Sequence, residues 1–115
     1  QSGVGRGYYS TEDVDKLHYW LRNKLRERGA HIDDIFYAPF YDKSKLKFTK
    51  KDRLLRKPNI GMINKANKNW NIDMKNSYVV GDSSADKDLA RNAKLKYVNV
   101  NDNSNLLSIV NRICK

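Results

Sequence analysis

Ser77-Tyr78-Val79-Val80-Gly81-Asp82-Ser83-Ser84-Ala85-Asp86 contains the change of hydrophobic period that sets the fold class. The run Tyr78–Val80 is apolar and β-branched and stops at Gly-Asp. Its length and continuity suit a strand buried in a parallel sheet. Ser83 or Ser84 then offers a hydroxyl to cap a helix over about 84–93, where Leu89, Ala90 and Ala93 fall on one face. Lys96-Tyr97-Val98-Asn99-Val100 reads as the next strand. A strand, a crossover helix and a second strand make a βαβ unit, so the two strands run parallel.

Working outward, Pro58 opens a helical stretch with Met62, Ile63, Ala66 and Trp70 on one face. Ser10 and Asp13 form a capping-box pattern before Val14, Leu17, His18, Leu21 and Leu25, with Gly29 as the stop, which predicts a helix over about 11–28. Ile32–Ala38 is β-branched and aromatic and ends at Pro39, so a strand is expected over 34–38. Residues 1–9 are glycine-rich and read as a loop, and 40–57 read as a long basic loop without period. Ser104 starts a C-terminal helix carrying Leu106, Leu107, Ile109, Val110 and Ile113. Alternating helices and strands define an α/β protein, a Rossmann-like parallel sheet flanked by helices. Residues 1–115 read as one domain, with no repeat and no linker.

The composition narrows the partners. The 115 residues carry 23 Lys plus Arg against 13 Asp plus Glu, a formal net charge of +10 with pI near 9.8. An anionic partner is expected, either nucleic acid or a phosphorylated small molecule. No apolar run is long enough for a membrane span. The lone cysteine, Cys114, excludes a disulfide framework and a Cys-rich zinc site within the chain, and fits a reducing cytoplasm.

Ligands of open parallel sheets bind beyond the carboxyl ends of the strands. Asp82 falls there, and a carboxylate in that position suits Mg²⁺, which takes one or two carboxylates plus phosphate and water. Asp86 lies one helical turn further on. It reads either as a second metal ligand or as an acid favoured by the positive end of its helix. Lys57, before Pro58, reads either as an anion-binding group at a helix N-terminus or as one more solvated lysine.

Three segments occur in order: Gln1-Ser2-Gly3-Val4-Gly5-Arg6-Gly7, Arg56-Lys57-Pro58-Asn59-Ile60-Gly61-Met62 and Val80-Gly81-Asp82-Ser83-Ser84-Ala85-Asp86. Together they resemble the haloacid dehalogenase-like (HAD) phosphatases, and within them the capless histidinol-phosphate and heptose-bisphosphate phosphatase group. The resemblance implies a Mg²⁺-dependent phosphomonoester hydrolase acting on a phosphorylated sugar, with heptose 1,7-bisphosphate as the expected substrate, through an aspartyl-phosphate. It implies that Lys57 stabilises the nucleophile and the transferring phosphoryl group, and that Arg56 and Ser83 meet substrate. Asp82 is then the Mg²⁺ ligand, with Asp86 beside it, and Gln1 and Ser2 end the Thr-Asn-Gln-Ser stretch that cradles phosphate. Such a transfer spreads negative charge over the phosphoryl oxygens, which a lysine, a cation and convergent amides stabilise.

The chain departs from the family pattern in three ways. The family's Asp-x-Asp nucleophile motif is expected upstream of Gln1, because Asp13-Val14-Asp15 sits in the first turn of a helix, where acids are dipole partners. No cysteine precedes Arg56, so the zinc loop of many relatives is not expected. Lys87 stands where relatives bury an apolar residue. The chain is therefore expected to be the C-terminal portion of a capless HAD domain, catalytically inactive alone. A missing N-terminal segment or another chain would be needed to complete the sheet between the 34–38 and 78–82 strands. The basic 43–57 loop is expected to grip a second phosphate. A polynucleotide 3′-phosphatase ranks behind the sugar phosphatase, because the Gly-Asp-Ser-Ser-Ala-Asp pattern fits the latter better. A non-catalytic remnant that binds an anion or a partner is the third reading.

Overall fold

In the computed structural model, β1 (Tyr78–Gly81), α5 (Ser84–Asn92) and β2 (Lys96–Asn99) form the expected βαβ unit. The structure describes residues 1–100 and 105–114. The strands pair in parallel, from Tyr78 opposite Lys96 to Gly81 opposite Asn99. Among the described residues the sheet has two strands, half-buried rather than enclosed, each with a neighbour on one side only. Preceding it are α4 (Gly61–Trp70) and a single 3-10 turn at Met74–Asn76. After it comes α6 (Leu106–Ile113), capped by the Asn105 side chain, which accepts from the Ser108 N–H at 2.7 Å. The expected start of this helix, Ser104, lies outside the described residues. Among the described residues of this part of the chain, Leu89, Ala90 and Ile109 are the buried apolar ones.

The chain divides into two compact units at Arg56/Lys57. In the first, α1 (Ser2–Gly5) is one helical turn, where a loop was expected. The helix α2 (Thr11–Glu27) starts on the expected capping box: Ser10 Oγ accepts from the Asp13 N–H, and the Asp13 carboxylate accepts from the Ser10 N–H. Of its apolar face, Val14 is buried while Leu17 and Leu21 remain exposed. The period of a helix says which side can be buried but not what covers it. Gly29, at φ 72°, ends α2 in a Schellman motif, with Ala30 N–H to Leu25 O and Gly29 N–H to Arg26 O.

Three local expectations are corrected here. Residues 34–38 form no strand among the described residues, because β-propensity needs a ladder partner to become a strand. The segment 40–57 is not all loop. It contains α3 (Lys50–Leu55), nucleated by a second capping box between Thr49 and Asp52. Pro58 also fails to open a helix: the Lys57–Pro58 bond is cis and residues 57–58 lie in a turn, with α4 beginning only at Gly61. Among the described residues no helix is long and apolar enough to cross a membrane.

Candidate active site

The second unit gathers its chemistry where β1 ends. Gly81 closes the strand, and its carbonyl accepts from the Val100 N–H at 2.9 Å and the Tyr97 hydroxyl at 3.0 Å. A side chain at Gly81 would place its Cβ 2.5 Å from the Asp86 Cβ. Only glycine lets the first turn of α5 fold back so closely on the strand, and this explains the Gly of Gly-Asp-x-x-x-Asp physically. Ser83 then caps α5 through a third capping box. Its Oγ accepts from the Asp86 N–H and donates to Asp86 Oδ2 at 2.6 Å, and its N–H donates to the same oxygen at 3.1 Å.

The other carboxylate oxygen, Asp86 Oδ1, receives the Lys57 ammonium at 2.5 Å, across 29 residues of sequence. Asp86 is 8% exposed and is the one buried charged residue among those described. Burial is the largest influence on its carboxyl and opposes ionisation. The hydrogen bonds from Lys57 and Ser83 together outweigh it and hold the pKa down at about 2. The Lys57 turn is itself tethered: the Asn92 side-chain amide, at the end of α5, donates to the Pro58 carbonyl at 3.0 Å. One helix thus holds the lysine twice, through its charge at the first turn and through the backbone of its turn at the last.

Lys57, Ser83 and Asp86 are therefore brought together. Asp82, the residue after the strand, is exposed at the same strand end. The ammonium of Lys57 meets Asp86 and not Asp82. Among the described residues no group of three or more His, Cys, Asp or Glu side chains is placed to hold a metal ion. Asp82 offers one open carboxylate, which fits Mg²⁺ binding completed by water and phosphate oxygens. Both Asp86 oxygens are engaged, one by the lysine and the other by the cap. Gln1, Ser2 and Arg56 belong to the first unit. Gln1 Oε1 accepts from the Tyr9 hydroxyl at 2.8 Å, and Ser2 is the first residue of α1, its carbonyl accepting from the Arg6 N–H. Arg56 follows α3 and donates from Nη1 to the Phe40 carbonyl at 3.0 Å. The roles of Asn92 and of Tyr97 were missed from sequence, and neither carries a local signal, since each acts through a backbone carbonyl far along the chain.

Lys57, Asp82, Ser83 and Asp86 thus frame the strand end of a parallel βαβ unit. A family model described as HAD-hydrolase-like matches residues 54–107, the segment that contains this frame. Over that segment the chain is similar to the haloacid dehalogenase-like family. It is 44% identical over 86 residues to D-glycero-alpha-D-manno-heptose-1,7-bisphosphate 7-phosphatase of Photorhabdus laumondii, covering 75% of this chain and 47% of that protein. It is 41% identical over 93 residues to D-glycero-beta-D-manno-heptose-1,7-bisphosphate 7-phosphatase of Rhodopseudomonas palustris, covering 81% of this chain and 52% of that protein. The alpha-named relative from Campylobacter jejuni is 33% identical over 95 residues, covering 83% and 50%. The chain spans about half the length of the curated relatives it matches.

Proposed function

We propose that these 115 residues are part of a capless HAD phosphatase domain. The whole protein hydrolyses a phosphomonoester of a phosphorylated sugar, with heptose 1,7-bisphosphate as substrate. The observation that carries this reading is the Lys57 ammonium held on the buried Asp86 carboxylate at the end of β1, one turn of helix from the exposed Asp82. In this reading Lys57 is catalytic: the ion pair fixes its position so that its remaining N–H bonds can meet phosphoryl oxygens as they gain charge. Asp82 would hold Mg²⁺, which supplies further positive charge against the phosphate when bound. Ser83 shapes the site chiefly by holding Asp86, with its position at the strand end available for substrate contact. Gln1 and Ser2 contribute to the phosphate cradle, and Arg56 to substrate recognition. The nucleophile, an aspartate that forms the aspartyl-phosphate, is assigned to a part of the protein outside these residues. The relatives named for the heptose bisphosphates divide between the alpha and beta anomers, so their names support the sugar and not one anomer.

The test is a phosphate-release assay on the full-length protein, with and without Mg²⁺, on heptose 1,7-bisphosphate and on 3′-phosphorylated DNA. Lys57→Ala and Asp82→Ala are each expected to lower kcat by about 100-fold or more on the sugar, as loss of one transition-state charge contact does. Unchanged turnover in either variant sinks the assignment of that residue. Preference for the DNA end sinks the sugar reading.

A further inference from the structure

Lys57 and Pro58 lie in the turn ahead of α4, and among the described residues no backbone–backbone hydrogen bond holds either of them. Pro58 has no N–H, so its carbonyl is its one hydrogen-bonding group. That carbonyl accepts from the Asn92 side-chain amide at 3.0 Å. Lys57 is held at the far end of its side chain, by the Asp86 carboxylate. Both holds come from α5, one from its first turn and one from its last residue, about 9 Å apart along the helix axis. The ion pair fixes the tip of a flexible four-carbon stem. It leaves the root of that stem to whatever holds the turn.

We infer that Asn92 is a positioning residue for Lys57. Its amide fixes the backbone of the lysine's turn while Asp86 fixes the ammonium, so the remaining N–H groups of Lys57 are aimed by two anchors on one helix. The inference rests on the reading of Lys57 as the group that meets the phosphoryl oxygens. A lysine held by its charge alone can keep its contact with Asp86 while the stem passes through other staggered rotamers. A displacement of about 1 Å in a group that stabilises the transition state costs up to about 100-fold in rate. Asn92 contributes a donated hydrogen bond and not bulk. It is exposed, so its replacement leaves the buried Leu89, Ala90 and Ile109 in place.

Phosphate release from heptose 1,7-bisphosphate is measured on the full-length protein with Mg²⁺. Asn92→Leu is close in size and has no donor. It is expected to lower kcat about tenfold with KM within about twofold of wild type, the pattern of a contact made in the transition state. Asn92→Asp keeps the shape but only accepts at neutral pH, and should match Asn92→Leu. Asn92→Gln keeps the amide and should recover most of kcat. In the Lys57→Ala background, Asn92→Leu should cost less than about twofold more, because the group it aims is gone. In ¹⁵N–¹H spectra the Lys57 Nζ signal should move in Asn92→Leu and Asn92→Asp and stay near its wild-type position in Asn92→Gln. Far-UV circular dichroism and urea unfolding verify the fold of each variant. Unchanged kcat in Asn92→Leu and Asn92→Asp, the same tenfold fall in the Lys57→Ala background, or a change in KM alone would overturn the inference and leave Lys57 in its catalytic role. Full turnover in Lys57→Ala would overturn the reading of Lys57 and this inference with it, so that single variant tells the two failures apart.

Discussion

Removing the Lys57 ammonium should release the Asp86 carboxyl, and the size of the release follows from the structure. Asp86 is held at about 2, against an ordinary value of 3.8. At about 1.4 kcal/mol per unit, that gap corresponds to about 2 kcal/mol of native-state stability. The Lys57 side chain is 39% exposed, so water screens its share. We assign about 1 kcal/mol to the lysine and the rest to Ser83. Burial remains when Lys57 is replaced, and it pushes the carboxyl up. In Lys57→Met the Asp86 pKa should therefore rise by about one unit or more. The sign of the linkage is set by the depressed value. The unfolded chain binds the proton first, so the contribution is complete above the ordinary 3.8 and is lost as pH falls through that value toward about 2. Carboxyl-carbon NMR titration reads the pKa directly. A double-mutant cycle of Lys57→Met and Asp86→Asn by urea unfolding should give a coupling of about 1 kcal/mol near neutral pH, and almost none once Asp86 is protonated. Titration of wild-type Asp86 at its ordinary value, or a neutral-pH coupling below about 0.3 kcal/mol, would refute the reasoning.

Two further outcomes rest on backbone geometry. Gly81→Ala places a methyl group 2.5 Å from the Asp86 Cβ, so α5 must shift away from β1. A loss of about 1–3 kcal/mol in unfolding free energy is expected, with the Asp86 pKa rising as its contacts loosen, and a variant as stable as wild type would show that the approach is not tight. Lys94 occupies the left-handed position of the Schellman motif that ends α5, at φ 57°, with Leu95 N–H to Ala90 O at 2.8 Å. Glycine holds the equivalent place after α2. Lys94→Gly should stabilise the chain by up to about 1 kcal/mol in thermal or urea unfolding, and destabilisation would contradict the strain argument.

The parts of this fold that were legible in the sequence are those decided between near neighbours. The capping boxes of Ser10 with Asp13 and of Ser83 with Asp86 close over three residues. The apolar run ahead of Gly81 and the helix behind it announce a βαβ unit, and Gly29 announces the end of α2. The box of Thr49 with Asp52 has the same form and was equally readable, but the surrounding lysines disguised a six-residue helix as a loop. Residues 34–38 show the opposite failure. Their strand propensity is genuine, but a strand is a relation between two segments, and no partner pairs with them among the described residues.

By itself the sequence determined the α/β class, the order of the principal elements and the candidate residues at the end of β1, because caps, periods and turns are set by interactions a few residues long. Only the tertiary structure decided which acid holds Lys57. It also decided that Gly81 is glycine for the sake of Asp86. The choice made by Lys57 depends on backbone segments that approach across tens of residues. There, a difference of one Cβ or one helical turn, invisible to any local pattern, selects Asp86 over Asp82.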